Sequence, residues 1–532
     1  MMRRLVAVSI AILVPAAVFG QAADPPPAFD LADVHASPHV TNPYMRGGVL
    51  RGGRFDVRTA SMVDLISFAY GVDAAKVQGG PSWLDTDRFE IIAKAPAKTP
   101  PETVKLMVQT LLADRFKLKI HMDSKPMPVF VLSMGKGKPK LKESDGDGNS
   151  GCQGQPQNPA PGVIPYNVVS CHNRTMAQLG DDLRNMANGY VTSPVVDQTG
   201  LKGSWDFEIK WTSRGLLTAA GADGISLFDA VDKQLGLKLE PQKVPVPVVV
   251  VDSVNQKPTD NPPGVTTSLP AAPPAEFEVA DIKPSMPGET NQMAKLEHGR
   301  LDVKNFPMKT LILIAWDINA DELLAGAPKF LDSARYDVVA KAPAPQPGTE
   351  VDIDDLRLML RALLADRFKL KTHMEERPVD GYVLSAVKPK LQKADPSNRT
   401  GCHEGPGADG KDPRIANPVL SRLLTCQNMT MAQFVDQLPN VANGYAHVNV
   451  LDSTGLTDAY DFTLSFSAIG LVRNGGVPGQ PAPPEASGVA DPNGAVPLPD
   501  AVNKQLGLKL ELRKRPMQVL VIDHVEEKPT EN

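Results

Sequence analysis

Two histidines, each with an acid two positions later, are the residues best suited to chemistry. His121 precedes Asp123 in KIHMD, and His373 precedes Glu375 in KTHME. An imidazole can accept a proton or bind a metal near neutral pH, and a carboxylate can orient it. No nucleophile or metal-ligand motif accompanies either histidine, so a solvated or packed position at a strand end is the alternative. We keep these four residues as candidates and assign no catalytic residue.

The four cysteines form one pair in each half of the chain. Cys152 and Cys171 flank a loop rich in proline, glycine and asparagine, and Cys402 and Cys426 flank another. In an oxidising compartment this pattern is typical of one structural disulfide per domain, worth about 3 kcal/mol. A metal site is the alternative, because a histidine stands beside a cysteine in each pair. Those histidines occupy unequal positions, which does not make a zinc pattern, so we predict no metal.

Trp83 is a further candidate, because tryptophan can form part of a sugar-binding or peptide-binding surface. The second half has Phe330 at the matching place, and a large apolar residue kept at a strand-like position is more typical of a core. The chain contains no Gly-x-Ser-x-Gly elbow, no His-Glu-x-x-His motif and no dinucleotide fingerprint, that is, no Gly-x-Gly-x-x-Gly run that follows a predicted strand and opens a predicted helix. We therefore predict no cofactor, and the sequence favours a protein that is not an enzyme.

Ordered repeats divide the chain into two copies of one domain. LLADRFKLK at 111–119 recurs letter for letter at 363–371, and KQLGLKLE at 233–240 recurs at 504–511. The repeats keep one order, which chance similarity does not produce. We predict a first domain at 28–257, a proline-rich linker at 258–275 and a second domain at 276–532. A disordered insertion rich in proline and glycine is predicted at 474–499, inside the second domain.

The elements that must position the candidates alternate between strand and helix. Each copy therefore reads as α+β, with helices packed on mostly antiparallel sheet. In the first copy we predict helices at 61–70, 102–114, 175–186 and 226–235. Segments 116–121 and 129–134 are predicted to form a strand pair, with further strands at 238–241 and 246–254. Thr175 with Gln178, and Thr430 with Gln433, fit the capping box, and Gly236 suits a left-handed helix stop.

The first residues have the pattern of a secretory signal. Arg3 and Arg4 precede an apolar run over 5–19, and small residues follow up to Ala23. The run is shorter than the roughly 20 residues of a membrane helix, so we predict a signal peptide at 1–23, with an uncleaved anchor as the alternative. The mature protein is then periplasmic or secreted, with no transmembrane segment. The net charge of −5 and the lack of a basic stripe interleaved with aromatics give no support to nucleic-acid binding.

Several segments together resemble an exported bacterial family of unknown function, the soil-associated family expanded in Acidobacteria. They are FEVADIKPS, GGPSWLDTDRFEIIAKAP, LLADRFKLKIHM, VVDQTGLKGSWDF, KQLGLKLE and VIDHVEEKPTEN, and in two copies they span nearly the whole mature chain. The resemblance supplies no catalytic residues. Members of that family are sometimes joined to membrane zinc peptidases of the antibiotic-sensor type, which implies an extracytoplasmic sensing or partner-binding role.

Three functions are compatible with these observations. The tandem duplication and the missing catalytic constellation favour a non-enzymatic binding, interaction or sensing module, whose partner is an unknown protein or envelope component. A secreted hydrolase with an unrecognised site is the second hypothesis, because catalytic groups can converge from distant positions. A structural envelope protein is the third.

Overall fold

A computed structural model describes most of the chain. The described residues are 25–38, 44–146, 150–155, 157, 163–272, 274–297, 299–343, 351–407, 410–417, 419–442, 444–446, 448–473 and 494–530. The signal peptide predicted at 1–23 and residues 474–493 of the predicted insertion lie outside them. Residues 494–499 of the predicted insertion are ordered instead, because Leu498 among them is fully buried.

The first copy contains twelve strands and five helices within the described residues. The strands are β1 Leu31–Ala36, β2 Arg46–Arg51, β3 Arg54–Ser61, β4 Val77–Gly79, β5 Arg88–Lys94, β6 Lys119–Met134, β7 Lys142–Glu143, β8 Gly151–Gly154, β9 Tyr166–Arg174, β10 Val195–Asp197, β11 Trp205–Thr212 and β12 Leu237–Ser253. The helices are α1 Met62–Tyr70, α2 Pro101–Arg115, α3 Met176–Met186, α4 Leu217–Ala220 and α5 Leu227–Ala230. A π-helical turn at Val231–Leu235 continues α5.

The second copy repeats this order after a short helix α6, Val265–Ser268. Its strands are β13 Val279–Pro284, β14 Met293–Glu297, β15 Arg300–Pro307, β16 Leu324–Ala325, β17 Arg335–Lys341, β18 Lys371–Ala386, β19 Gln392–Lys393, β20 Gly401–Glu404, β21 Arg422–Thr430, β22 Leu451–Ser453, β23 Ala459–Phe466 and β24 Leu508–His524. Its helices are α7 Met308–Ala315, α8 Phe330–Ser333, α9 Ile353–Arg367, α10 Pro413–Ala416, α11 Met431–Val441, α12 Ile469–Arg473 and α13 Leu498–Ala501.

Each copy consists of two lobes joined by a long two-stranded ribbon. In the first copy the N-lobe sheet has the order β1-β5-β3-β2, the C-lobe sheet has the order β7-β11-β9-β8, and the ribbon is the antiparallel pair of β6 with β12. The second copy has the matching orders β13-β17-β15-β14 and β19-β23-β21-β20, with β18 and β24 as its ribbon. The α+β class with mostly antiparallel sheet is therefore confirmed in both copies.

One face of the ribbon completes the cores of both lobes. In β12, Leu237 and Leu239 are buried in the C-lobe core, and Val249 and Val251 are buried in the N-lobe core. Alternate residues of a strand share a face, so a single strand serves two cores. Burying each of these side chains stabilises the fold by about 1.5–3 kcal/mol, which ties the lobes to the ribbon.

The two lobes of each copy are themselves built alike. Their strand orders correspond one to one, and a residue with positive φ precedes the first helix of each, Thr59 before α1 and Asn173 before α3. A second such residue follows the last helix, Lys117 after α2 and Gly236 after the turn that continues α5. The second copy has the same four positions at Asn305, Lys369, Asn428 and Gly507. The chain therefore contains four versions of one strand–helix unit.

A carboxylate holds the backbone bend before the helix in three of the four lobes. The N–H of Asn173 donates to Asp206 over 2.9 Å, that of Asn305 to Asp337 over 3.0 Å, and that of Asn428 to Asp461 over 2.8 Å. A buried N–H without a partner costs about 1–3 kcal/mol, so each carboxylate stabilises a bend that would otherwise be strained.

The strand pair predicted within 116–134 is wrong. β6 runs unbroken from Lys119 to Met134 and pairs along its whole length with β12, which is likewise one strand rather than two. Prolines stand at 126, 128, 245 and 247 within these two strands. A proline is tolerated in a strand where its missing N–H would point away from the partner, and Pro126 lies opposite Pro245.

The predicted helix ends are confirmed. The N–H of Gln178 donates to the Thr175 hydroxyl over 3.3 Å, and the N–H of Thr175 donates back to the Gln178 side chain over 3.0 Å. Thr430 and Gln433 form the same capping box at α11. Gly236 has φ 71° and ends its helix in the left-handed conformation.

The segment after the first copy folds back on its N-lobe. Arg115, at the end of α2, donates to the Thr259 carbonyl and to the Asn261 side chain, each over 2.6 Å. Val265 in α6 is 5% exposed. The start of the predicted linker is thus packed on the first copy, and Arg115 has a structural contact at the end of α2.

Two charged patches bring the copies into contact. At the first, three arginines of the N-lobe pair with four aspartates of the second copy: Arg46, Arg51 and Arg58 with Asp317, Asp352, Asp354 and Asp355. At the second, Arg399 binds Asp85 of the first copy through two hydrogen bonds of 2.8 and 2.6 Å. The copies are therefore docked as well as covalently joined.

Candidate functional site

The two candidate histidines lie near one end of each ribbon. His121 is on β6, and its Nδ1 lies 2.8 Å from Asp252 of β12; His373 on β18 lies 2.9 Å from Asp523 of β24. Both imidazoles are about half exposed. Within the described residues, no hydroxyl or thiol side chain is hydrogen-bonded to either one. The structure thus shows two histidine–aspartate pairs without an adjacent nucleophile.

The acids next to these histidines in sequence have other contacts. Asp123 accepts from the backbone of its neighbour Ser124 over 2.7 Å, and Glu375 accepts from Arg377 over 2.8 Å. Glu375 lies 3.9 Å from the Nε2 of His373, so that pair is at most a weak one. In both copies the closer acid comes instead from the second strand of the ribbon, Asp252 on β12 and Asp523 on β24.

Trp83 packs against the N-lobe core. Its ring is partly buried and meets Phe89 edge to face, with 6.2 Å between the ring centroids. Such a contact is typical of a core aromatic, since edge-to-face pairs add about 0.5–1.5 kcal/mol beyond area burial.

The two disulfides lie one in each copy. Cys152 is bonded to Cys171 between β8 and β9, and Cys402 to Cys426 between β20 and β21. The predicted pairing is confirmed. Among the described residues, no group of three or more histidine, cysteine, aspartate or glutamate side chains could hold a metal ion.

One cavity, of about 560 Å³, lies between the two C-lobes. It is lined by residues of both copies, including Tyr190, Trp211, Arg214, Glu404, Arg422 and Leu471. Its charged groups are paired, Arg422 with Glu404 at 3.2 Å and Arg214 with Asp412 at 3.9 Å. Burial lowers the pKa of Arg214. We interpret this space as part of the contact between the copies.

A second cavity, of about 1060 Å³, lies between the lobes of the second copy, over its ribbon. We call it the cleft. The N-lobe lines it with Asp317, Ile318, Asn319 and Leu323, and the C-lobe with Pro439, Asn440, Gly444, Ala446, Val448 and Asn449. The ribbon contributes Met374, Glu376, Arg515, Pro516, Met517, Gln518 and Leu520, and the first copy contributes Arg46.

An ion pair crosses the corresponding place in the first copy. Arg184, near the end of α3, pairs with Asp73 in the turn after α1. In the second copy Pro439 takes the position of Arg184, and Asn319 takes that of Asp73 when residues are counted from the start of the helix. Asp317, two residues before Asn319, pairs instead with Arg46 and Arg357. Pro439 and Asn319 both line the cleft, and neither is charged. They therefore cannot form the ion pair that links the lobes of the first copy.

Arg515 lines the cleft and forms no ion pair with an acid among the described residues. Its Nε and Nη2 are buried and lack a hydrogen-bond partner within the part of the chain that the structure describes. The guanidinium lies against Gly381, where an added Cβ would be 2.7 Å from Nε. Burial lowers the pKa of Arg515. In the first copy Val244 stands at the position of Arg515, and Val129 stands at the position of Gly381. The arginine and the glycine that leaves room for it are therefore both specific to the second copy.

The remaining lining of the cleft combines the acids Asp317 and Glu376 with amides and apolar side chains. Of the two arginines in the described lining, Arg46 already pairs with Asp317 and Asp354, and Arg515 has no such pair. The side-chain amides both donate and accept hydrogen bonds, and they are Asn319, Asn440, Asn449 and Gln518. Such a lining suits a ligand that combines amide groups, apolar side chains and a negative charge.

One protein family matches both halves of the chain. Its description is "Protein of unknown function (DUF3738)", and it matches residues 63–254 and 309–525. The chain belongs to the DUF3738 family. Each match runs from the first helix of a copy to the end of its ribbon, so one DUF3738 domain corresponds to one two-lobed copy. The chain matches no curated protein and no solved structure.

The family match fixes the tandem arrangement and assigns no activity. Export and a soil-bacterial origin stay predictions from the sequence. Among the described residues, no helix has the length and apolarity needed to cross a membrane.

Sequence reasoning missed the cleft. Its lining comes from segments far apart in the chain, so no single motif marks it. A comparison of the copies at the positions of Arg184 and Val244 would have found it, since the first becomes proline and the second becomes arginine.

Proposed function

We propose that this DUF3738 protein is a non-enzymatic binding module that works outside the cytoplasm, in the periplasm or as a secreted protein, and holds its ligand in the cleft of the second copy. The observation that carries the proposal is the open cavity of about 1060 Å³ at the place where Arg184 and Asp73 link the lobes of the first copy. Ligand sites in proteins commonly enclose about 300–1,000 Å³, so the space is sufficient for a small ligand or a short chain segment.

Two further features support this proposal. One disulfide in each copy is compatible with an oxidising compartment. Arg46 of the first copy reaches the cleft of the second, so the docked copies serve one site together. In this arrangement the first domain has a supporting role, and the two domains are not equivalent binding sites.

The experiment that tests the proposal restores the ion pair in the second copy. The double variant Asn319→Asp with Pro439→Arg is expected to link the lobes across the cleft, as Asp73 and Arg184 do in the first copy. The mature full-length chain and this variant would each be used for affinity capture from native envelope extract, with mass spectrometry of the bound fraction. We expect a ligand held by the wild type to be lost from the variant.

A matched control opens the first copy by Asp73→Asn with Arg184→Ala. This control should keep the captured ligand, because it leaves the cleft of the second copy unchanged. Equal capture by the wild type and the linked variant would contradict the proposal.

A secreted hydrolase is the second candidate, favoured by the histidine–aspartate pair at the same place in both copies. In such an enzyme, His121 and His373 would act as bases on a water molecule, each oriented by its aspartate. Its test is turnover of a panel of ester, peptide and phosphate substrates, by the wild type and by His121→Ala with His373→Ala. Turnover that this double variant abolishes would favour the hydrolase over the binding module.

A further inference from the structure

Strand β24 has an open edge in the cleft. One edge of β24 pairs with β18 along the ribbon, and the other pairs with β16 only at Leu520 and Val521. In the described chain, no strand pairs with this outer edge between Leu512 and Val519, and Leu512 is 59% exposed. A free edge of this kind is a template on which an extended peptide can add as a further strand.

The register shows which backbone groups face outward. Pro378 of β18 lies opposite Pro516 of β24. Two facing prolines cannot exchange N–H bonds, so this is a non-hydrogen-bonded pair, and such pairs alternate along an antiparallel ladder. Gln518 lies two residues further along β24, opposite Glu376, and is therefore also in a non-hydrogen-bonded pair. Its N–H and C=O point to the outer edge, in the cleft.

The first copy blocks the same edge with proline. The shared LKLE segment aligns β12 with β24. In this alignment the positions of β12 whose backbone groups face the outer edge include Pro241, Pro245 and Pro247. In β24 the first and last of these are Leu512 and Gln518, each with an N–H to donate. Prolines on an edge strand prevent pairing with another chain, so the two copies differ in the ability to accept a strand.

The charge next to this edge favours an acidic ligand. Arg515 lies between the outward positions 514 and 516, and within the described structure no acid is bonded to it. Lys514 precedes it, and Arg513 before that is paired with Glu511, whereas the first copy has the less basic run Gln-Lys-Val. A carboxylate beside Arg515 would supply the missing hydrogen-bond acceptors for its buried guanidinium nitrogens.

We propose that an extended peptide adds as a strand to the outer edge of β24 in the cleft, pairs with the backbone of Gln518, and places a carboxylate on Arg515. The inference rests on the proposed function and adds the ligand class. Among the described residues that line the cleft, none has an aromatic ring of the kind on which sugars stack, whereas the amides and methionines suit a peptide backbone with apolar side chains.

The test uses a phage-displayed library of random dodecapeptides, selected on the mature full-length chain. A selected acidic peptide, labelled with fluorescein, is then titrated with the wild type, with Gln518→Pro and with Arg515→Val while fluorescence polarisation is measured. Both variants carry the residue of the first copy, so the ribbon is expected to fold, which the melting temperature checks. Pro247→Gln in the first copy is the matched control.

We expect Gln518→Pro to weaken binding by about 10-fold or more, since one backbone bond is lost and proline disfavours the added strand. Arg515→Val should weaken the acidic peptide about 10-fold and leave its amide counterpart nearly unchanged. Pro247→Gln should have no effect.

Failure to enrich any peptide, or equal affinity of the wild type and Gln518→Pro, would overturn the peptide assignment. The proposed function is judged separately by the linked variant Asn319→Asp with Pro439→Arg. If that variant loses the captured ligand while Gln518→Pro retains it, the cleft is a binding site for something other than an added strand.

Discussion

The bond between Arg399 and Asp85 should measure how firmly the two copies are docked. Arg399 belongs to the second copy, and its Nε and Nη2 bind the two carboxylate oxygens of Asp85 at 2.8 and 2.6 Å. Its Nη1 also donates to the Val77 carbonyl of the first copy. This arginine therefore bonds a side chain and a backbone group across the contact, and Arg399→Ala removes all of these bonds.

The burial of the pair sets the expected magnitude. The Arg399 and Asp85 side chains are 24% and 30% exposed, so water screens them less than it screens a surface pair. Hydrogen bonds to charged groups contribute about 1.5–3 kcal/mol, and exposed ion pairs about 0.2–1 kcal/mol. We expect a coupling free energy of about 1–2 kcal/mol between the two side chains. Arg399→Ala alone should cost somewhat more, because the Val77 carbonyl also loses its donor.

A double-mutant cycle tests this value in the full chain. Urea unfolding of the wild type, Arg399→Ala, Asp85→Ala and the double variant gives the coupling, and Trp83, two residues from Asp85, reports on the contact by fluorescence. Additivity within about 0.3–0.5 kcal/mol would mean that the two side chains do not interact in solution, which would refute the docked arrangement.

Three further predictions concern stability. Replacing Cys152 and Cys171 by serine should lower the free energy of unfolding by about 3 kcal/mol, given the sequence separation of 19 residues, and an unchanged urea midpoint would contradict this. Burial raises the pKa of Asp337, but hydrogen bonds lower it by more, so the net shift is downward. Its stabilisation is then complete above about pH 4 and is lost as the pH falls through the folded pKa, so Asp337→Asn should flatten the acid limb of the stability profile. His121→Ala should change stability by less than about 1 kcal/mol, because the imidazole and Asp252 are both about half exposed, and a larger loss of thermal stability would argue for a tighter role.

The sequence predicted those features that depend on local pattern or on exact repetition. The two domains followed from LLADRFKLK and KQLGLKLE, and the capping box at Thr175 followed from the spacing of a threonine and a glutamine. The disulfides followed from the placement of one cysteine pair per copy. Each of these depends on residues close together in the chain or on identity between the copies.

The ribbon and the cleft could not be predicted in the same way. β6 and β12 pair across a long sequence separation, and Pro126 and Pro245, residues that usually interrupt strands, lie opposite each other in an unbroken ladder. The acid that contacts His121 is Asp252 from the distant strand, whereas the sequence pointed to Asp123. The cleft depends on positions at which the copies differ, such as Pro439 and Arg515, whereas a repeated pattern reveals only positions at which they agree.

Hydrogen–deuterium exchange of the full chain, with and without the selected acidic peptide, tests the central claim most directly. Added as a strand, the peptide would hydrogen-bond the Gln518 amide, so exchange over 513–519 should slow while the matching segment 242–248 of the first copy stays unchanged. Protection confined to the cavity between the C-lobes, or equal protection of both ribbons, would contradict the account.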